Sequence, residues 1–134
     1  MMNRKIYNEM LLWKQNAQGK SALMIDGARR IGKSYIVEEF AKNEYKSYIL
    51  VDFNNADDNL IEIFDKYLRN LDVFFSYLAL YYNVTLYPRD TVIVFDEVQL
   101  YPKARAAIKY LVKDGRYDYI ETGSLVSINR NVRD

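Results

Sequence analysis

The chain contains no cysteine and no histidine among its 134 residues. The first absence excludes disulfides and thiolate metal sites and fits a reducing, cytoplasmic setting. The second removes imidazole acid–base chemistry, Ser-His catalytic groupings and histidine metal ligands together. Chemistry in this chain must rest on carboxylates, lysine, arginine, hydroxyls and a bound metal. No apolar run is long enough to span a bilayer: the longest, Val73 to Tyr82, is short and interrupted by Ser76. The first six residues, Met1 to Ile6, are polar and lack an apolar segment followed by a cleavage site, so neither a signal peptide nor a membrane partner is expected. With 19 basic and 18 acidic residues the net charge is +1. That balance does not call for a nucleic acid or an anionic surface, and leaves nucleic acid open only through a local patch.

Glycine is scarce, with five in the chain, yet two of them fall in one stretch. Gly27-Ala28-Arg29-Arg30-Ile31-Gly32-Lys33-Ser34 reads G-x-x-x-x-G-K-S, the pattern of a phosphate-cradling loop. The glycines let the backbone turn its N–H groups inward, Lys33 reaches β- and γ-phosphates, and the Ser34 hydroxyl is offered to Mg²⁺. Tyr35 follows as the last residue assigned to nucleotide contact. Four matched positions arise by chance in roughly one chain in a few hundred of this length, so the flanks decide. Ser21–Ile25 is a short apolar run suited to a buried strand, and Ser34–Lys42 places Ile36, Val37, Phe40 and Ala41 on one helical face. Strand, loop and helix come in the order that aims the helix N-terminus at phosphate. Arg29 and Arg30 either add charge near the phosphates or face solvent, and the sequence does not separate the two.

The remaining elements alternate. A helix is predicted over Asn3–Asn16 with Ile6, Met10 and Trp13 on one face, and a strand over Lys46–Phe53. Helices follow over Asn59–Leu68 and Leu71–Tyr82, the second with Phe74, Leu78 and Tyr81 inward and Asn70 as its cap. Thr91–Phe95 is apolar on both faces, as a central parallel strand must be. Pro102–Lys113 is helical with Ala104, Ile108 and Leu111 inward, and Tyr117–Thr122 is a fourth strand. The expectation is a single α/β domain over residues 1–134, a three-layer α/β/α arrangement around a parallel sheet with right-handed crossovers. The 13 tyrosines, Tyr77, Tyr81 and Tyr110 among them, are read as packing residues at core or boundary positions. Arg105, Lys109, Lys113 and Arg116 recur at helical spacing; a solvated face is the simpler reading, contact with a phosphate backbone the alternative.

Val92-Ile93-Val94-Phe95-Asp96-Glu97 ends a buried strand in two carboxylates, at the tip where open α/β sheets bind ligands. Alone this is an ordinary strand end; behind a phosphate loop it is the Walker B pattern. Asp96 then helps to hold Mg²⁺, and Glu97 orients and deprotonates an attacking water. Thr122, in Thr122-Gly123-Ser124 at the end of the fourth strand, is placed to sense the γ-phosphate or steer that water. An ordinary strand-to-loop turn is the alternative.

Together with Arg4-Lys5-Ile6-Tyr7 and Leu12-Trp13-Lys14, the loop, Phe95-Asp96-Glu97-Val98-Gln99 and Glu121-Thr122-Gly123-Ser124 make the chain resemble a known family. It is similar to the N-terminal AAA-type ATPase domain of bacterial and archaeal ATP-binding proteins that carry the DUF4143 domain. The resemblance implies an AAA+-like P-loop fold with sheet order 5-1-4-3-2, ATP and Mg²⁺ as ligands, and the roles above for Lys33, Ser34, Asp96, Glu97 and Thr122. It also implies a fifth strand, a helical lid, an arginine finger and a C-terminal domain. None of these has a counterpart before Asp134, so a truncated form, incomplete at its C-terminus with its first strand at a sheet edge, is expected. ATP hydrolysis is the leading expectation for the complete form. A non-catalytic scaffold fragment that binds nucleotide, a protein partner or another copy of itself is the alternative, and a small-molecule kinase ranks behind both. The absence of an N-K-x-D guanine motif is consistent with ATP.

Overall fold

A computed structural model describes residues 2–26 and 33–124. In chain order these form α1 (Met2–Ala17), β1 (Leu23–Asp26), α2 (Lys33–Glu44), β2 (Ser47–Asp52), α3 (Asp58–Tyr67), α4 (Leu71–Tyr82), β3 (Thr91–Asp96), α5 (Pro102–Asp114) and β4 (Asp118–Gly123). A short 3-10 turn, Val98–Leu100, follows β3 and was not foreseen from the sequence. All strand pairs are parallel, in the order β1-β4-β3-β2. This is the 1-4-3-2 part of the expected order. No helix among the described residues is long and apolar enough to cross a membrane.

The helix ends have local causes. The Asp57 carboxylate accepts the Leu60 N–H at 2.9 Å to open α3, and Asn70 does the same for Val73 at 3.3 Å to open α4, each meeting an N–H that a helix start leaves unpaired. Asn83 closes α4 in the left-handed region at φ 55°, a conformation that asparagine tolerates better than most residues. Pro102 opens α5 where its missing N–H costs nothing, and Gly115 at φ 83° closes it.

Alternation along the strands divides the core in two. Ile93 and Phe95 of β3 point to one face, where α3, α4 and α5 contribute Phe64, Phe74, Leu78 and Leu111. Val92 and Val94 point to the other, against Met10 of α1 and Ile36, Val37 and Phe40 of α2. Every residue of β3 is buried, as its unbroken apolar run requires.

Two details depart from expectation. α4 turns Leu71, Phe74, Phe75, Leu78 and Tyr82 to the core, so Phe75 joins the inward face and Tyr81 stands at its margin, 38% exposed. Those five residues follow i, i+3, i+4, i+7, i+11, a better-centred stripe than one through Tyr81. Tyr77 and Tyr110 are exposed as well, at 41% and 62%. The tyrosines buried in the core are Tyr45, Tyr117 and Tyr119, whereas Tyr77 stacks on the partly buried Tyr67, ring centroids 4.4 Å apart.

The basic stripe also separates. Arg116 lies beyond α5 and pairs with Asp72 at 2.8 Å and Asp114 at 3.0 Å. Arg105, Lys109 and Lys113 line a shallow groove between α5 and the segment before β1, together with Glu121 of β4. Burial pushes the Glu121 carboxyl above its ordinary range, and the Arg105 guanidinium, 4.0 Å away, opposes this only in part. A carboxyl whose folded pKa is raised favours the folded state when protonated and penalises it as pH rises through that pKa. Glu121→Gln is therefore expected to raise the melting temperature at neutral pH, with the gain vanishing below about pH 4. Melts at the two pH values check this, and equal shifts at both would contradict it.

Candidate functional site

The parallel sheet brings the C-terminal ends of β3 and β4 beside the first turn of α2. Because β4 runs between β1 and β3, Thr122 comes next to the Asp96-Glu97 pair. The crossover from β1 through α2 delivers Lys33 and Ser34 to the same corner. Residues 62 to 90 positions apart in sequence thereby meet.

The Ser34 hydroxyl lies 3.0 and 3.1 Å from the two oxygens of Asp96. Thr122 donates its hydroxyl proton to Asp96 Oδ1 at 2.6 Å and accepts the Glu97 backbone N–H at 3.0 Å. Thr122 is fully buried and Asp96 nearly so, which holds the carboxylate in one orientation. Lys33, 2% exposed, donates to the Gly123 carbonyl at 2.7 Å and lies 3.4 Å from Glu97 Oε2. The other Glu97 oxygen, Oε1, accepts from Gln99 Nε2 at 2.7 Å. Glu97 is itself buried, with its backbone in the left-handed region at φ 55°, ψ 50°. That conformation costs an L-residue roughly 1–2 kcal/mol and is kept where surrounding contacts enforce it.

Of the predicted site residues, Lys33, Ser34, Asp96, Glu97 and Thr122 are brought together. Tyr35 follows Ser34 on α2 and is 66% exposed. On a helix it sits about 100° from Ser34, and the inward positions of α2 are taken by Ile36 and Val37. Gly27, Ala28, Arg29, Arg30, Ile31 and Gly32 lie outside the described residues. Sequence reasoning assigned no role to Gln99 or to the Gly123 carbonyl. Gln99 stood only within the D-E-V-Q motif, and a backbone carbonyl leaves no mark in a sequence.

A hydroxyl beside a single carboxylate is a hard-oxygen donor set. It suits Mg²⁺, which takes one or two carboxylates and keeps water or phosphate oxygens for the rest. Among the described residues no cluster of three or more acidic side chains offers an all-protein metal cage.

No curated protein and no solved structure matches the chain significantly. A family model described as an AAA domain matches residues 19–133, a span that takes in the loop, the Asp96-Glu97 strand end and Thr122. The chain therefore belongs to the AAA domain family and carries an AAA-type P-loop nucleotide-binding domain.

Proposed function

We propose that this domain binds ATP with Mg²⁺ and hydrolyses it. The observation that carries the reading is the convergence of Ser34 on Asp96 at 3.0 Å, directly after a phosphate-loop sequence. Lys33 would exchange its contacts with Gly123 and Glu97 for the β- and γ-phosphates, where a compact ammonium is most effective. Ser34 and Asp96 would hold Mg²⁺, which when bound neutralises charge on the phosphates. Glu97 is the base: it follows Asp96 directly, its carboxylate is bonded to neither Ser34 nor Thr122, and its Oε2 faces Lys33. Thr122, with its proton committed to Asp96, acts by bracing the Asp96 carboxylate and the Glu97 backbone. The choice of adenine rests on the narrower likeness to the DUF4143-containing proteins.

Lys33→Ala should weaken equilibrium binding of a fluorescent ATP analogue by at least about tenfold, a charge-assisted phosphate contact being worth roughly 1.5–3 kcal/mol. The substitution also leaves Glu97 without its cation, so folding of the variant is checked by circular dichroism. Equal binding by wild type and a folded Lys33→Ala protein would remove the loop from nucleotide recognition. ATP binding without phosphate release by wild type would favour the scaffold reading.

A further inference from the structure

We infer that Gln99 is a positioning residue for the hydrolytic water. It fixes Glu97 Oε1 so that Oε2 is the oxygen presented for proton abstraction once Lys33 turns to phosphate. The inference rests on the ATPase reading above and concerns the same site.

The two oxygens of Glu97 are held unequally. Oε1 takes a short, buried bond of 2.7 Å from the Gln99 amide, whereas Oε2 faces Lys33 across 3.4 Å. Lys33 has a better partner in the Gly123 carbonyl at 2.7 Å, and phosphate oxygens compete strongly for a lysine ammonium. The Lys33 contact is thus the one that nucleotide displaces, and the Gln99 bond is the one that stays. Without it a carboxylate on a three-torsion side chain would rotate among several poses.

The backbone is built to make this bond. Glu97 in the left-handed region turns the chain sharply from β3 into the 3-10 turn Val98–Leu100. That turn packs against β4 and α5, so Gln99 is carried by a seated element with only 6% of its surface exposed. The side-chain type matters as well. A neutral amide donates to the carboxylate without cancelling its charge, where arginine or lysine would compete for phosphate and glutamate would repel.

The test is steady-state ATP hydrolysis by Gln99→Leu and Gln99→Glu, with nucleotide affinity and melting temperature measured on the same samples. The expected result is a kcat 10- to 100-fold lower, the usual loss for an orienting partner, with KM and affinity within about threefold. In a Glu97→Gln background, Gln99→Leu should add no further loss, because the two act as a unit. An unchanged kcat in a folded Gln99 variant, or a loss that adds fully to that of Glu97→Gln, overturns the inference and leaves the ATPase reading standing. Wild type that binds ATP yet releases no phosphate overturns both.

Discussion

Glu97→Gln is expected to slow ATP hydrolysis by roughly 10²- to 10³-fold, within the range for losing a general base, while ATP affinity changes by no more than a few-fold. Glutamine matches the shape of glutamate and can still accept the Gln99 hydrogen bond, but it cannot take a proton from water. Lys33 loses an ionic contact of 3.4 Å and keeps its shorter bond to the Gly123 carbonyl, so the cluster persists. No histidine exists in the chain to substitute as base. Single-turnover phosphate release and binding of a fluorescent ATP analogue separate the two effects. A rate within threefold of wild type would mean that the water is activated elsewhere.

Asp118→Ala is expected to cost about 2–4 kcal/mol of stability, because it breaks a buried polar network by removing its centre. Asp118 opens β4 with its side chain 5% exposed, accepts the Tyr45 hydroxyl at 2.5 Å and pairs with Arg89 at 2.7 Å. Burial and the Asp118 charge together hold the Tyr45 hydroxyl well above its ordinary pKa, so it serves here only as a donor. With Asp118 gone, the buried hydroxyl has lost its acceptor, while Arg89, 43% exposed, can turn to water. That escape keeps the cost below the value for a fully buried pair. Arg89 is also fitted closely into place: its backbone is at φ 63°, and a Cβ on Gly19 would lie 2.6 Å from its guanidinium. The network ties the segment after α2, the segment before β3 and the start of β4 together, at the end of the sheet opposite Asp96 and Thr122. For a domain whose total stability is of order 5–15 kcal/mol, the loss is severe. Urea unfolding of wild type, Asp118→Ala and Tyr45→Phe checks it, with Tyr45→Phe expected near 1 kcal/mol. A loss below about 1 kcal/mol for Asp118→Ala would show that the network adds nothing net.

Elements with a strong period were legible. The all-apolar run of β3 and the cap at Asn70 appear where the residues place them, because both depend on neighbours close in sequence. Tyr81 and Phe75 were misjudged because a stripe of 3.6-residue period can be centred one position either way on an apolar helix, and only the partner surface decides. The 3-10 turn at Val98–Leu100 was missed since its cause is the left-handed backbone at Glu97, which no side-chain pattern announces.

The candidate site shows the same division. Phosphate chemistry was readable in Gly27 to Ser34 and in Asp96-Glu97, since each motif is a contiguous string whose residue types have few other uses together. The meeting of those strings is implied only by the family resemblance and its strand order, because it depends on β4 inserting between β1 and β3, which no local pattern announces. That insertion sets Thr122 against Asp96 and Gly123 against Lys33, and the turn after β3 aims Gln99 at Glu97. By itself the sequence determined the order and type of the elements and the chemical groups available, because local propensity and periodicity act over a few residues. The tertiary structure alone decided which oxygen of Glu97 meets Gln99 and which meets Lys33, and where Asp118 finds its partners. Those distances are set by packing between segments far apart in the chain, where burial and hydrogen-bond satisfaction outweigh anything a neighbouring residue can specify.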